Sequence, residues 1–502
     1  MQKKESAFLL WLLAVSLLLR LYRIHSQSLW VDELLTLNVS VPRPGLNIWD
    51  YLKYNIHGPL HSFVVYLFHF VSVHDGWLRV PSVAAGVAGV FYFYRWVGVW
   101  LGERVARRAA VLLAVHPLHV YYSQELRNYS LLFFFGMFAS YFLHGLLKKE
   151  TPRRFLAYVL GIAASALCNF SSAFLYVVHS ILYLARRAPG RRFARWAVVS
   201  MLVAGVISPW VYRIYKVVDL PSLVTPVLPG DLEDSERLRG DTTVTLAAIP
   251  YALYTFSVGF SMGPSTRELH GDPSLRSVLG SHTGAILWVT LVFGAAGLLG
   301  AVGAVRRGDP WPQVALYLWL PIALVILLCW QNAKAFNVRY VLLSFPAYLC
   351  LIAMGIEWLP GRWSRALWVL VLATLLYSLG NYYFNGSYAR EDVRGAARYV
   401  KANAAPGDCV LAPTVMHVFT RYYGEEGVYS VRAPAGKPVR RVDEELAALL
   451  ANCETLWYVR AREWEDDPHG YVLNSLDRRL LRLQTVNYDG VTVTAYRMPD
   501  SQ

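Results

Sequence analysis

Charged residues are scarce in this chain of 502 residues: they make up 16% of it, whereas hydrophobic residues make up 55%. This balance excludes an ordinary soluble protein and indicates a polytopic membrane protein. The net charge of +14 does not point to nucleic acid, because the basic residues fall in short clusters between apolar runs. The first apolar run is not followed by a cleavage site of small residues, so we expect it to be retained as a helix.

Cysteine is also rare, with five residues, and the chain has no Cys and His spacing of the kind that binds metals. Cys168, Cys329 and Cys350 lie in apolar runs and are expected to pack there. Cys409 and Cys453 lie at or just before the starts of two predicted strands, in a compartment that permits disulfides. We expect two free buried cysteines there, with a disulfide as the alternative.

Several apolar runs approach the length of a spanning helix, which needs about 20 residues. Basic clusters follow the second, fourth, sixth, eighth and tenth runs, which predicts a cytoplasmic N-terminus and a C-terminus outside. Two further runs, 59–73 and 246–262, break this alternation and carry polar residues, so we predict interfacial or re-entrant helices there. The predicted spans are 6–22, 80–98, 109–122, 129–147, 154–169, 172–186, 194–212, 283–304, 311–330, 340–358 and 364–381.

The end of the chain alternates between helix and strand patterns, which is typical of a small α/β domain. Residues 385–502 are therefore predicted to form a soluble outer domain, and residues 1–384 a membrane domain whose first outer loop covers about 23–79. The predicted helices are Arg390–Ala404 and Val442–Leu450, and the predicted strands are Asp408–Ala412, Thr455–Val459, Leu481–Val486 and Val491–Tyr496. The fold class is thus a polytopic α-helical membrane protein, with about 11–13 transmembrane helices and a C-terminal α/β domain.

This topology brings most of the unusual polar clusters to the outer face. They are Asp32-Glu33 beside Trp30, the segment His57-Gly58-Pro59-Leu60, the stretch from Tyr121 to Tyr129 and the stretch from Gln331 to Tyr340. A carboxylate can accept a proton from a hydroxyl nucleophile. Cationic side chains can bind a phosphate and stabilise its charge as it leaves. Together these groups predict transfer from a lipid-linked phosphate donor to an acceptor outside the membrane.

Each cluster also has a simpler structural interpretation. Acidic residues such as Asp32 and Glu33 are common at helix N-termini. Pro59 could begin a helix, Glu125 and Arg127 could pair only with each other, and Arg339 could be an interfacial anchor. Their common predicted face favours function, because chance would scatter them over both faces.

These motifs resemble the family 39 membrane glycosyltransferases, which have the GT-C fold and include protein O-mannosyltransferases and lipid A aminoarabinose transferases. The most specific match is Tyr122-Ser123-Gln124-Glu125-Leu126-Arg127-Asn128-Tyr129. The other matching segments are Trp30-Val31-Asp32-Glu33, His57-Gly58-Pro59-Leu60, Leu78-Arg79-Val80-Pro81-Ser82, His116-Pro117, and Arg339-Tyr340 ahead of Pro346. Gly58 departs from the family pattern His-Pro-Pro-Leu, and glycine would loosen the turn there.

The resemblance implies an inverting transfer from a polyprenyl-phosphate-linked sugar, in an integral plasma (inner) membrane protein. Asp32 would act as base or orient the acceptor, with Glu33 in support. His57, Arg127 and Arg339 would hold the donor phosphate, with Tyr122 and Tyr340 near the sugar or lipid. Further candidates for substrate binding are Gln124, Glu125 and Lys334. No cofactor is certain; a divalent metal ion stays open, since some relatives bind one.

Two other functions compete with transfer. A transporter or flippase of lipid-linked sugar would be expected to show internal repeats and mid-span acids, and we find neither a clear repeat nor such an acid. A non-enzymatic scaffold would act through its outer domain alone. The sequence leaves the sugar open, and the acceptor could be a protein, a lipid or a polysaccharide.

Overall fold

The structure is a computed structural model, and two of the predicted donor-binding residues, His57 and Lys334, lie outside the residues it describes. The described residues are 2–41, 58–185, 189–217, 248–271, 275–307, 311–330, 336–434, 437–451 and 453–498.

Helices dominate the chain as far as Phe384. They are α1 (Gln2–Leu21), α2 (Val31–Ser40), α3 (Pro59–His69), α4 (Asp75–Leu78), α5 (Val80–Leu101), α6 (Glu103–Val115), α7 (Pro117–Ser123), α8 (Tyr129–Lys148), α9 (Pro152–Cys168), α10 (Ser172–Leu184), α11 (Pro189–Val217), α12 (Ala248–Val258), α13 (Thr266–Gly271), α14 (Leu275–Arg307), α15 (Trp311–Trp330), a 3-10 helix (Val338–Ser344), α16 (Phe345–Trp358) and α17 (Gly361–Phe384).

Seven of the helical stretches in the described part of the chain are long and apolar enough to cross a membrane. They correspond to predicted spans: 75–101, 129–148, 190–216, 280–306, 311–329, 338–358 and 361–384. The predicted run 246–262 is a short apolar helix, α12, and 59–73 is α3. The protein is therefore a multi-pass helical membrane protein.

The predicted third span, 109–122, is divided into α6 and α7. His116 has an extended backbone (φ −68°, ψ 122°) and Pro117 begins α7. Proline lacks an N–H and disfavours helical geometry in the residue before it, so the helix is interrupted at this pair. The short α7 then ends just before the turn that carries Glu125 and Arg127.

Small residues allow some of the membrane helices to pack backbone against backbone. A Cβ atom on Gly355 of α16 would lie 1.8 Å from the carbonyl oxygen of Ala296 on α14. A Cβ atom on Gly300 would lie 2.1 Å from the carbonyl oxygen of Leu351. Glycine at such positions lets helices approach closely in a membrane.

Gly58, immediately before α3, does not loosen the chain as the sequence predicted. Its φ of −61° and ψ of 147° are values that proline itself adopts. A Cβ atom there would lie 2.0 Å from the carbonyl oxygen of Leu167, near the end of α9. Glycine is thus required because another helix passes directly against it, and that contact holds the turn in place.

The C-terminal domain contains a five-stranded mixed sheet in the order β2-β1-β3-β5-β4. β1 is parallel to β2 and β3, whereas β3–β5 and β5–β4 are antiparallel. All predicted elements are present, and α19, β2, α21 and α22 are additional. The elements are α18 (Val393–Asn403), β1 (Cys409–Leu411), α19 (Met416–Tyr423), β2 (Val428–Tyr429), α20 (Val439–Leu450), β3 (Thr455–Arg460), α21 (Glu463–Asp466), α22 (Tyr471–Arg479), β4 (Leu481–Tyr488) and β5 (Val491–Arg497).

A disulfide joins Cys409, the first residue of β1, to Cys453, just before β3. The expectation of two free cysteines at these positions is wrong. The first residue of β1 lies beside the start of the parallel strand β3, where Cys409 pairs with Leu456. This pairing brings the two thiols within bonding range.

The C-terminal domain is attached to the membrane domain through the buried carboxylate of Asp75. Its oxygens accept hydrogen bonds from Tyr422 (2.6 Å), Arg421 (3.1 Å) and Arg394 (3.5 Å). Arg394 also donates to the carbonyl oxygens of His25 and Ser26. The first helices of the C-terminal domain therefore lie against the segment that leads into α2.

Candidate active site

Four segments that are distant in sequence meet beside the N-terminus of α2. They are the first turn of α2, the turn 124–128 between α7 and α8, the 3-10 helix that begins at Val338, and the segment that precedes α18. They bring together Asp32, Arg127, Arg339 and Arg390.

Asp32 lies between two arginines. Its Oδ2 accepts a hydrogen bond from Nη1 of Arg339 at 3.0 Å, and it lies 3.7 Å from Nη2 of Arg127. The Asp32 side chain is 25% exposed, so solvent or a substrate can reach it. Because two guanidinium groups lie beside one carboxylate, one positive charge is not neutralised by Asp32, and it can bind an anionic phosphate.

Arg127 is held firmly by α2. Its Nη1 donates to the carbonyl oxygen of Asp32 (3.0 Å) and to the hydroxyl of Thr36 (2.9 Å). Burial by itself would lower the pKa of Arg127, but Tyr129 and Asp32 raise it, so the guanidinium stays charged. The next residue, Asn128, donates to the carbonyl oxygen of Cys168 and ties the turn to the end of α9.

Glu33 has a different environment from its neighbour Asp32, because its side chain is fully buried. Arg79 binds it with two hydrogen bonds of 2.8 and 2.7 Å, and the backbone N–H of Leu126 donates at 2.7 Å. Burial alone would raise the pKa of Glu33, but Arg79 and Arg390 hold it below its ordinary value. A carboxylate so fully engaged is suited to positioning the site rather than to proton transfer.

Glu125 is buried on the other side of Leu126. Its Oε1 lies 3.6 Å from Nη2 of Arg390, and its Oε2 has no hydrogen-bond donor among the described residues. Burial, opposed in part by Arg390, raises the pKa of Glu125 to about 7. This carboxyl group can therefore change its protonation state near neutral pH.

Two arginines of this site are not among the predicted site residues: Arg79, which lies in a matched motif without an assigned role, and Arg390. Arg390 follows the last membrane helix, and its Nη1 donates to Oε2 of Glu33 at 3.2 Å. The only available signal was a basic residue on the predicted outer side just after a span. Its partner Glu33 lies 357 positions earlier in the chain. Nothing in the sequence indicated that the two residues are in contact.

The remaining candidates are placed as follows. Tyr122 is buried with its ring 4.9 Å from that of Tyr129. Arg127 lies over the Tyr129 ring at 5.8 Å and Arg339 over the Tyr340 ring at 5.5 Å. Tyr122, Tyr129 and Tyr340 thus supply aromatic surface beside the two arginines.

The side-chain amide of Gln124 is committed to contacts within the chain. It donates to the carbonyl oxygens of Arg20 (2.9 Å) and Tyr22 (2.7 Å), and it accepts from the hydroxyl of Tyr382 (2.9 Å). These bonds join the ends of α1, α7 and α17, so they favour a structural role for Gln124.

Among the described residues, the surroundings of Asp32 supply no set of ligands for a divalent cation. Its carboxylate faces two guanidinium groups, and among the residues the structure describes no three His, Cys, Asp or Glu side chains are grouped as metal ligands. The positive charge at this site is supplied by arginine.

The sequence matches the family model described as dolichyl-phosphate-mannose-protein mannosyltransferase over residues 56–212. Comparison with curated proteins finds no significant match. Among solved structures, ArnT from Cupriavidus metallidurans bound to undecaprenyl phosphate is 12% identical, with a TM-score of 0.57 over 98% of each chain. Its apo form is 13% identical, with a TM-score of 0.54 and the same coverage.

The chain has the GT-C fold. An oligosaccharyltransferase from Archaeoglobus fulgidus shares it: it is 15% identical, with a TM-score of 0.50 over 90% of this chain and 67% of that one. The predicted fold class is confirmed. The family model together with the GT-C fold also confirms the predicted glycosyltransferase.

The region matched by the family model contains Arg79, Glu125 and Arg127 but ends before Arg339 and Arg390. It begins after Asp32 and Glu33. The GT-C fold brings the matched and unmatched parts together at one site, which the family model alone does not show.

Proposed function

We propose that this protein transfers a monosaccharide from a polyprenyl-phosphate donor to an acceptor hydroxyl on the outer face of the membrane, with inversion. The observation that carries the proposal is the position of Asp32, a partly exposed carboxylate between Arg127 and Arg339. The structure of ArnT with undecaprenyl phosphate supports a lipid of this class as the carrier.

In the proposed reaction the donor phosphate binds Arg127 and Arg339. The phosphate competes with Asp32 for these cations, so donor binding frees the carboxylate. Asp32 then accepts the proton of the acceptor hydroxyl, whose oxygen bonds to the anomeric carbon. The bond between that carbon and the phosphate oxygen breaks, and the polyprenyl phosphate leaves with the electron pair.

The two arginines stabilise the negative charge that grows on the leaving phosphate. Because phosphate leaves without protonation, the site needs no second carboxylic acid, unlike a glycoside hydrolase. Attack from the side opposite the phosphate inverts the anomeric configuration. His57 and Lys334 remain candidates for further phosphate contacts.

We also propose that the C-terminal domain lies outside the membrane, as the basic loops indicate. The disulfide between Cys409 and Cys453 supports this placement, because disulfides persist in oxidising compartments. The whole site would then face the same side as the acceptor.

Mass spectrometry of envelope glycoconjugates tests the proposed function. A deletion strain should lack one sugar modification and accumulate its lipid-linked donor, and the wild-type gene should restore the parent pattern. Vesicles that contain the purified protein should transfer the sugar to the acceptor. Movement of the lipid-linked sugar across the vesicle membrane without transfer would instead identify a flippase.

A further inference from the structure

Arg390 is buried between the membrane domain and the C-terminal domain. Its side chain is 7% exposed, and it contacts Glu33 at 3.2 Å and Glu125 at 3.6 Å. The guanidinium also lies over the ring of Tyr121 at 4.7 Å and near the ring of Trp30 at 5.9 Å. A residue from the start of the C-terminal domain thus contacts both Glu33 and Glu125, the two buried carboxylates next to the site of Asp32, which we call the acidic cluster.

The two carboxylates that Arg390 contacts are directly connected to the proposed catalytic groups. Glu33 is adjacent to Asp32 in the first turn of α2, and it accepts the backbone N–H of Leu126 at 2.7 Å. Leu126 immediately precedes Arg127, and Glu125 precedes Leu126. Glu33 therefore links α2, which carries the proposed base Asp32, to the turn 124–128, which carries Arg127, a residue proposed to bind the donor phosphate.

Charge balance explains why a second cation is needed. Glu33 and Glu125 are both buried, with side-chain exposures of 0% and 1%. Arg79 is engaged by Glu33 and by the carbonyl oxygens of Ile24, Gln27 and Ser28. Without Arg390, Glu125 would lose the cation that lies within 4 Å of it among the described ion pairs, and an unpaired buried charge is costly whenever Glu125 is ionised.

Attachment of the C-terminal domain does not itself require Arg390. The buried Asp75 and the partly buried Arg394, Arg421 and Tyr422 form a separate group that joins the two domains. Arg390 contacts none of these four side chains in the described hydrogen bonds and ion pairs. Its partners belong to the acidic cluster behind the site.

We propose that Arg390 is a positioning residue of the transfer site: through Glu33 and Glu125 it fixes the mutual placement of Asp32 and Arg127. The C-terminal domain then completes the active site, in addition to any contact it makes with an acceptor. The inference rests on the proposed function and adds to it a role for this arginine.

The test compares full-length Arg390→Met, Arg390→Lys and Arg421→Met with the wild type in lipid nanodiscs. Two quantities are measured: the affinity for undecaprenyl phosphate, and the single-turnover rate of transfer from labelled lipid-linked sugars extracted from the deletion strain. Arg421→Met is the matched control, because it weakens the domain attachment at Asp75 without touching Glu33 or Glu125.

Arg390→Met should slow transfer by about 100-fold, since small displacements of reacting groups have effects of this size. Its affinity for undecaprenyl phosphate should fall by less than about fivefold, because Arg127 and Arg339 remain. Arg390→Lys should recover part of the rate, as it keeps the charge but loses the planar fork. Arg421→Met should retain a rate near that of the wild type.

Two results would overturn the inference: a rate for Arg390→Met within about twofold of the wild type, or equal losses in Arg390→Met and Arg421→Met. The second result would reduce Arg390 to a docking contact. Wild-type protein that neither binds undecaprenyl phosphate nor transfers the sugar would overturn the proposed function, and this inference with it. If the wild type transfers and only the Arg390 result fails, the proposed function stands.

Discussion

Adjacent residues of the same chemical type have separate roles at this site. Asp32 is partly exposed between Arg127 and Arg339, whereas Glu33 is fully buried and bound by Arg79. The sequence could suggest that Asp32 was the more important acid only through the family resemblance. The structure adds a physical reason, because a carboxylate that is to gain a proton must be accessible and must be able to leave its cations.

Asp32→Asn should slow transfer by about 100-fold or more, which is the contribution typical of a general base. The same variant should bind undecaprenyl phosphate at least as tightly as the wild type, because the neutral amide competes less for Arg127 and Arg339. Single-turnover transfer and lipid binding in nanodiscs measure the two effects. Full transfer activity in a folded Asp32→Asn protein would show that another group takes the proton.

Glu125 should make stability depend on pH. Its folded-state pKa is raised to about 7 from an ordinary value near 4.5, so the folded protein holds a proton that the unfolded chain releases. The stability that this proton provides is fully present below pH 4.5 and is lost as pH rises through about 7. The loss amounts to about 3.5 kcal/mol at most, because the pKa rises from 4.5 to about 7 and each pKa unit corresponds to about 1.4 kcal/mol.

The matched variant is Glu125→Gln, which cannot ionise. Apparent unfolding temperatures of both proteins should be measured from pH 5 to pH 8 in the same detergent. The wild type should lose stability relative to Glu125→Gln as pH rises across this range. Parallel pH curves for the two proteins would contradict the raised pKa.

Among the structural elements, the sequence predicted those with long or strongly periodic patterns. The six predicted elements of the C-terminal domain lie where expected, within three residues at each end. The predicted membrane helices are also present, although their ends differ by up to eight residues and the span 109–122 is divided. Short elements such as β2 and α21 were missed, because two to four residues carry no usable period. The apolar run 109–122 predicts one continuous helix, whereas Pro117 interrupts it after His116.

Contacts between elements could not be predicted in the same way. The conformational freedom of glycine predicts a looser turn at Gly58. The reason for glycine lies instead at Leu167, more than 100 residues later in the sequence, whose carbonyl oxygen leaves no room for a Cβ atom. Arg390 was missed for the same reason: its partners are determined by tertiary packing and not by local pattern.

Gly58→Ala should therefore destabilise the protein, by about 1–3 kcal/mol, as overpacking usually does. The backbone angles of Gly58 suit alanine, so steric conflict with α9 is the whole cause. The unfolding temperature of the purified protein measures the effect. The control should be a glycine without a positive φ, which excludes Gly102. Gly205→Ala is a better control, since a Cβ atom there would meet nothing within 4 Å.

At the scale of the whole molecule, the prediction concerns orientation. Single cysteines can be introduced as Arg440→Cys in the C-terminal domain and as Arg104→Cys at the start of α6, where both side chains are exposed. An impermeant maleimide added to intact cells should label position 440 and not position 104, which should react only after the membrane is opened. The native free cysteines are buried and supply a low background. Labelling of position 104 alone in intact cells would reverse the topology.

The position of Arg390 has a consequence for biogenesis. The chain is synthesised from its N-terminus, so Asp32, Glu33, Glu125 and Arg127 are all made before residue 390. Until then the acidic cluster has Arg79 but lacks its second cation. A nascent or prematurely terminated chain could insert its helices, yet it would hold an incomplete site. The protein would then become active only after translation has passed α17, the last membrane helix.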